Sequence, residues 1–351
     1  MVMSSQSSIL SRNSNIELLR LICMLMIAIH HFIMQPSHGL LSSGMESYAA
    51  WLVNDLCYVG VNCFVLISGW FGIRVSWKGI WQLFFFCAFY GLASYLFHIW
   101  HTGAHIGSSV LSICILPFSH SQWWFINCYL ILYLSAPLIN KAIEALSKSQ
   151  YTMILILFTI VNVYFGNIMH TPFFNIDGYS AAQFIYIYLI GGYMHRYIDL
   201  EWVKHHKFTM LLGYVICCTL YFSIRLLPEH FKFDLIHLGY NNPLNIGGAI
   251  FFFLFMVSFQ FKCKTINYIS GSALAIYLIQ ESKYFGHEWL YPYIGQQDYH
   301  LLQILLLSVV FMVACIAVDQ LRRLVAMPLN RLVGEAVDKF PNYLKEIEHK
   351  S

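Results

Sequence analysis

Apolar segments long enough to cross a bilayer recur along the whole chain and constrain its fold more than any other feature. We count ten of them, at about residues 16–35, 50–72, 79–99, 123–140, 151–168, 180–197, 208–227, 244–261, 267–286 and 301–321. Each is close to the roughly 20 residues that a helix needs to span the hydrocarbon core. Only 11% of the residues are charged, where a soluble domain has about a quarter. The sequence therefore predicts an all-α polytopic membrane protein, a bundle of about ten transmembrane helices.

Lysine and arginine are distributed unevenly between the two sides of the predicted bundle. With a cytoplasmic N-terminus, sixteen of the 20 basic residues fall on the cytoplasmic side, Arg20 lies within the first span, and only Arg225, Lys232 and Lys283 fall outside. This bias predicts cytoplasmic N- and C-termini and a multi-pass protein of the cell membrane. The net charge of +3 follows from topology and gives no reason to expect a nucleic-acid partner.

Domain organisation follows from the same segments. We predict a cytosolic leader at 1–15, a single transmembrane domain at 16–326 and a basic cytosolic tail at 327–351, which either lies on the inner leaflet as an amphipathic helix or is solvated. Residues 108–118 are apolar but too short to span, so we expect a re-entrant or interfacial segment there.

Cysteine and histidine are numerous but do not form a pattern typical of a cofactor or metal site. The ten cysteines include no CxxC pair, and most lie inside spans, where a thiol packs as a small apolar group. The sixteen histidines show no zinc-type spacing, and no nucleotide fingerprint is present. We therefore predict no metal and no bound cofactor.

The first span, "ELLRLICMLMIAIHH" at residues 17–31, carries four ionisable side chains. On a helix, Arg20 and His31 are only about 20° apart around the axis and about 16 Å apart along it, whereas His30 is turned about 80° from Arg20. Glu17 can pair with Arg20 and lower the cost of its burial. Two interpretations fit: an ion pair reaching the cytoplasm with interfacial histidines, or a polar stripe facing a hydrated passage. We favour the stripe, because intramembrane ionisable residues usually face the interior.

The first span and four other blocks resemble the membrane acyltransferase-3 family. Glu17-x-x-Arg20, ten residues and then His31 resemble its first-helix signature. The other blocks are "GVNCFVLISGWFGI" at 60–73, "WWFINCYLILYLSAPL" at 123–138, "NNPLNIGGAIFFFLF" at 241–255 and "ALAIYLIQE" at 273–281. They occur in order over nearly the whole chain, and the resemblance is closest to the stand-alone surface-polysaccharide O-acetyltransferase branch.

Two positions depart from that family. Many members carry paired arginines after the second span, where this chain has only Arg74 and Lys78. Gln280 stands where a histidine often follows the late Tyr-Leu motif, which weakens any role that rests on a second histidine.

The resemblance implies transfer of an acyl group, most simply acetyl, from cytosolic acyl-CoA to a hydroxyl of a cell-surface or lipid-linked glycan. Acyl-CoA would be a co-substrate, and the glycan and the bilayer would be the other partners. The expected catalytic residues are His31, Arg20 and Glu17. His31 would act as general base or carry the acyl group, and we prefer the base, because an acyl-imidazole would need protection from water.

Further residues are expected to bind the substrates or to stabilise the oxyanion. Arg20, Arg74 and Lys78 would contact CoA phosphates. Asn62 and Ser68 are either oxyanion donors or helix-packing residues. Trp123 and Trp124 are either a sugar-stacking platform or interfacial anchors.

Two other classes of function remain open from the sequence. A transporter or flippase for a glycan or another anionic substrate would show paired broken helices and internal repeats. A purely structural or receptor-like membrane protein would not need Arg20 and His31 on one face, so we rank it third.

Overall fold

The computed structural model describes residues 13–36, 44–119, 123–169, 177–227 and 237–337, and within these ranges the chain forms helices and no strand. The α-helices are α1 (Ser14–Met34), α2 (Met45–Cys57), α3 (Gly60–Phe71), α4 (Trp77–Thr102), α5 (Ser109–Ile115), α6 (Trp124–Ala145), α7 (Lys148–Val161), α8 (Ala181–Tyr197), α9 (Leu200–His205), α10 (Lys207–Arg225), α11 (Pro243–Val257), α12 (Lys264–Ile269), α13 (Ala273–Gln280), α14 (Tyr291–Gly295) and α15 (Leu301–Val337). The predicted all-α class is confirmed.

Seven helical stretches in the described part of the chain are long and apolar enough to cross a membrane. They are Ser14–Met34, Met45–Phe71, Trp77–Thr102, Trp124–Ala145, Lys148–Ile168, Lys207–Arg225 and Leu301–Ala326. Of the other three predicted spans, α8 has 17 residues and α11 has 15. The third, at 267–286, is interrupted by a 3-10 turn at Ser270–Ser272 and by a break after Gln280, beyond which Lys283–Leu290 is a π-helix.

Three smaller predictions fall partly or wholly within the described residues. The apolar stretch at 108–118 contains the seven-residue helix α5, in agreement with a segment too short to span. Helix α15 continues to Val337, past the predicted boundary at residue 326. Most of the predicted leader, residues 1–12, and most of the predicted tail, residues 338–351, lie outside the described residues.

The described residues divide into two compact units, of which the first consists of those within the ranges 13–30, 48–73 and 138–270. In it α10 packs against α11, and α3 packs against α8 and α11. Helices α3 and α8 approach so closely that a Cβ atom at Gly69 would overlap the carbonyl oxygen of Tyr188, and one at Gly191 would lie 2.6 Å from the carbonyl oxygen of Leu66. Small residues allow such backbone contact between membrane helices.

A buried ion pair links two distant segments of the first unit. Arg225 donates from Nε to Asp55 Oδ2 at 2.9 Å and from Nη2 to Asp55 Oδ1 at 2.6 Å. Asn54 donates to Asp55 at 3.1 Å, and His30 Nδ1 lies 2.7 Å from Asn54 Oδ1. An intramembrane carboxylate needs such partners, and the sequence alone identifies none for Asp55.

The second unit consists of the described residues within the ranges 31–47, 74–137 and 271–337. Helix α4 packs against α5, α13 and α15, and against the π-helix Lys283–Leu290. Buried Asp319 on α15 accepts hydrogen bonds from Tyr90 at 2.7 Å and Ser272 at 2.7 Å. It also pairs with Arg322 and Arg323, so its charge is compensated inside the unit.

Candidate active site

The candidate active site lies in the second unit, where the last turn of α1 meets the end of α13. His31 is 6% exposed and Glu281 is 3% exposed. The Nδ1 atom of His31 is 3.1 Å from Oε1 of Glu281. A buried carboxylate beside one ring nitrogen of a histidine fixes the orientation of the imidazole and favours a proton on that nitrogen.

Glu281 interacts with two further side chains. The hydroxyl of Tyr291 donates to Oε1, and Nε2 of His287 lies 3.4 Å from Oε2. Gln280, which is fully buried, is a hydrogen-bonding neighbour of His31. The carboxylate is therefore surrounded by polar groups, as a buried charge must be to avoid a large desolvation cost.

The local chain geometry explains why these groups converge. Helix α13 ends at Gln280, and Ser282 then caps the π-helix by accepting a hydrogen bond from the backbone N–H of Gly286. Gly286 lies so close to the carbonyl oxygen of Gln280 that a Cβ atom there would overlap it. The wider π-helical turns bring His287 and Tyr291 back towards Glu281. Such π segments occur frequently at functional sites.

A cavity of about 310 Å³ adjoins this group of side chains. Its lining consists of Gln35, His287, Tyr291, Pro292, Gly295 and Gln296. Gln35 follows the end of α1, whereas the other residues belong to the π-helix, to α14 and to the residue after it. Two amides, an imidazole and a phenol give the cavity hydrogen-bonding groups suited to a polar, uncharged ligand.

The structure contains the expected contact between Glu17 and Arg20. Nη1 of Arg20 donates to Oε1 of Glu17 at 2.8 Å, and Ser270 Oγ donates to the other carboxylate oxygen at 2.6 Å. Glu17 is buried, whereas the Arg20 side chain is 35% exposed. Glu17 thus holds the guanidinium in place and leaves part of it accessible to another anion.

The other two cations and the two tryptophans that we predicted to bind substrates lie in the second unit and differ in their exposure. Arg74 and Lys78 are exposed, in and just after the short link between α3 and α4. Trp123 is only 1% exposed and lines a very small cavity beside Gly91, whereas Trp124 is half-buried. The indole of Trp123 therefore packs inside the unit, and a sugar-stacking role stays a prediction for both tryptophans.

Asn62 and Ser68 form internal hydrogen bonds in the first unit. Asn62 Nδ2 donates to the carbonyl of Tyr240 at 2.8 Å and to Asn245 Oδ1 at 2.7 Å. Ser68 donates to the carbonyl of Phe64 on its own helix at 3.2 Å. These bonds are those of packing residues, and the alternative oxyanion role stays a prediction.

Sequence reasoning missed Glu281, His287 and Tyr291. Glu281 was visible as an acidic residue at the end of an apolar block, which is a sign of function in a membrane helix. The positions of His287 and Tyr291 follow from the π-helix, which hydropathy does not reveal. Among the described residues, no group of three or more His, Cys, Asp and Glu side chains is arranged to hold a metal ion.

The described helices include several of membrane-spanning length, and they hold a buried histidine beside a carboxylate. Comparison with protein families identifies the class of protein to which this chain belongs. The model of the acyltransferase-3 family, described as an acyltransferase domain, matches residues 13–319. The chain therefore belongs to the acyltransferase-3 family and is a membrane acyltransferase. Neither a search of curated proteins nor a search of solved structures found a match.

Proposed function

We propose that this protein transfers an acetyl group from cytosolic acetyl-CoA to a hydroxyl of a cell-surface or lipid-linked glycan, with His31 as the general base. The observation that supports this most directly is the buried contact between His31 and Glu281, Nδ1 to Oε1 at 3.1 Å. At this distance the carboxylate can stabilise a proton on Nδ1, which leaves the other ring nitrogen to accept one.

In the proposed reaction, Nε2 of His31 takes the proton from the acceptor hydroxyl as that oxygen attacks the thioester carbonyl carbon. The tetrahedral intermediate then collapses, the carbon–sulfur bond breaks, and the CoA thiolate takes the proton from His31. The carboxylate of Glu281 stabilises the imidazolium that exists between these two steps. The reaction needs no bound cofactor.

The acceptor would approach through the cavity lined by Gln35, His287, Tyr291 and Gln296. A sugar hydroxyl is polar and uncharged, which suits the amide, imidazole and phenol groups of that lining. His287 and Tyr291 contact the same carboxylate as His31, so a ligand in the cavity would lie beside the proposed base.

The donor would be bound through its phosphates by Arg20, with Arg74 and Lys78 as further cationic contacts. The partial exposure of Arg20 and its fixed position beside Glu17 support this assignment. The exposure of Arg74 and Lys78 is that of side chains able to meet a soluble anion.

The finer topology is part of the same proposal. We place ten spans in the cell membrane: the seven longer helices, α8, α11 and the interrupted segment at 267–286. Both termini lie in the cytoplasm. Interrupted backbone at membrane depth is tolerated where it lies inside protein or lines a cavity. We also assign the chain to the stand-alone surface-polysaccharide O-acetyltransferase branch.

The test uses the full chain in nanodiscs with acetyl-CoA labelled in the acetyl group and a glycan extract from the cell surface. We expect label in the glycan and one free CoA thiol for each acetyl group transferred. Release of thiol without a labelled glycan would disprove the acceptor class. Movement of a glycan or anion across a vesicle membrane without consumption of CoA would favour the transporter alternative.

A further inference from the structure

A long apolar groove crosses the second unit between α4, the segment from α13 to the π-helix, and α15. Its volume is about 480 Å³, and its lining is almost entirely hydrocarbon, including Phe89, Phe97, Phe311 and Val318. From Phe311 to Val325 it follows α15 for about 21 Å at 1.5 Å per residue. That is about two thirds of the roughly 30 Å hydrocarbon core of a bilayer.

One charged side chain, Arg322, lines this groove. It is 6% exposed, its Nε donates to Asp319 at 2.7 Å, and its guanidinium stacks over the ring of Phe86 at 4.0 Å from the centroid. Arg323 shares the same carboxylate at 2.9 Å but does not line the groove. Because two guanidinium groups share one carboxylate, Asp319, Arg322 and Arg323 together carry one net positive charge.

We propose that the groove binds an anionic phospholipid, with the headgroup phosphate at Arg322 and one acyl chain along α15 towards Phe311. Arg322 shares the carboxylate of Asp319 with Arg323, so a phosphate can accept a further hydrogen bond from its guanidinium, and the apolar walls suit a hydrocarbon chain. Basic pockets between membrane helices commonly bind anionic headgroups in this way. Arg322 also lies at the end of α15 that the charge distribution assigns to the inner leaflet, where anionic lipids are concentrated.

The lining favours a lipid over the pantetheine arm of CoA. That arm contains amide groups, which need hydrogen-bond partners in an apolar site. Two serines line the groove, and their hydroxyls already form internal bonds: Ser94 accepts from the backbone N–H of Phe285 at 3.0 Å, and Ser282 donates to the carbonyl of Ile279 at 2.8 Å. A hydrocarbon chain requires no such partners.

The proposal is tested by counting the lipids that the full chain retains after detergent extraction, measured by native mass spectrometry with phosphatidylglycerol or phosphatidylcholine added back. We expect one phosphatidylglycerol per wild-type chain, and retention about tenfold lower in Ala314→Phe and Ala93→Phe, whose new rings fill the groove from opposite helices. Val310→Phe is the matched control, because Val310 is 64% exposed on the same helix and does not line the groove.

The contact between Arg322 and the headgroup is tested with two matched variants. Arg322→Leu and Arg323→Leu each remove one partner of Asp319, but only Arg322 faces the groove. We expect Arg322→Leu to lose the preference for phosphatidylglycerol over phosphatidylcholine, by about fivefold, and Arg323→Leu to keep it. Equal retention of the two lipids by the wild type, or equal retention by the groove variants and Val310→Phe, would overturn the proposal.

A second measurement needs no variant. Phosphatidylglycerol with a photoreactive group in one acyl chain should label peptides containing residues 89–97 and 311–325, and unlabelled phosphatidylglycerol should compete while phosphatidylcholine should not. Labelling spread equally over other lipid-exposed helix surfaces, such as the one with Met153 and Ile156, would show only general contact with the bilayer and would refute a specific site.

Discussion

His31 and Glu281 lie near opposite ends of the sequence, yet their side chains meet with 3.1 Å between Nδ1 and Oε1. The neighbouring residue His30 is instead bonded to Asn54, in a network that includes Asp55 and Arg225. Two adjacent histidines on one helix therefore have different partners: His31 contacts a carboxylate, and His30 contacts the amide oxygen of Asn54. This difference allows the proposed base to be tested against a residue of the same type beside it.

Replacement of His31 by Gln should abolish acetyl transfer, with a fall in kcat of about a hundredfold or more, because the proposed base is removed while the volume is nearly kept. The measurement is transfer of labelled acetyl in nanodiscs at saturating acetyl-CoA. His30→Gln is the control and should retain most of the activity. Similar losses in both variants would point to a packing role for this end of α1.

Replacement of Glu281 by Gln should lower kcat by about 10–100-fold and leave KM for acetyl-CoA nearly unchanged, because the carboxylate orients His31 and does not contact the donor. Glu281→Asp should recover part of the loss. Glu288, in the π-helix that follows Glu281, pairs with His98 at 3.3 Å and is partly exposed, so Glu288→Gln serves as the control. A change confined to KM would contradict a positioning role.

Replacement of Arg20 by Gln should raise KM for acetyl-CoA by about tenfold or more while changing kcat less, because a charge-assisted contact to phosphate is lost. Arg196 is an exposed arginine bonded to the carbonyl of Ile143, and Arg196→Gln should leave KM unaltered. Steady-state kinetics with varied acetyl-CoA distinguish the two. An unaltered KM in Arg20→Gln would remove Arg20 from the donor site.

Replacement of Gln296 by Ala should raise KM for the glycan acceptor by several fold and leave KM for acetyl-CoA unchanged, because Gln296 lines the cavity beside His287 and Tyr291 in which we place the acceptor. Gln297 is the next residue and does not line that cavity, so Gln297→Ala is the matched control. The assay varies the acceptor at a fixed saturating donor concentration. An equal rise in KM for acetyl-CoA would show that the cavity is not specific for the acceptor.

Replacement of Asp55 by Leu should lower the free energy of unfolding by about 3 kcal/mol, because Arg225 would lose the buried carboxylate that it contacts through two hydrogen bonds. The double variant Asp55→Leu/Arg225→Leu should be less destabilised than the sum of the single variants. The measurement is unfolding of the purified protein in mixed micelles. Lys204→Leu, which breaks an exposed pair with Glu201, should have little effect.

The sequence was sufficient to predict a helical membrane protein, the family and the contact between Glu17 and Arg20. These depend on composition, on ordered motifs and on residues one helical turn apart. The partners of His31 and Asp55 were not predictable in the same way, because they come from segments far along the chain. Their identity depends on tertiary packing, which hydrophobic periodicity does not specify.

The interrupted segment shows a second limit of sequence reasoning. Residues 267–286 have the hydropathy of one span, and no proline marks the break after Gln280. The break depends on the side chain of Ser282 accepting from Gly286 and on the close approach of Gly286 to Gln280. Both are local hydrogen-bonding and steric effects that averaged hydropathy does not detect.

The contact between α3 and α8 restricts how the protein can move. Where Gly69 meets Tyr188, the backbones touch directly, and the Tyr188 hydroxyl also joins the backbone N–H of Ile73 to the side chain of Asn140. Sliding one of these two helices along the other would create a steric clash and break the hydrogen bond between Ile73, just after α3, and Tyr188. Helices α3 and α8 should therefore move together as a rigid body during turnover. An engineered disulfide between them should not slow the enzyme.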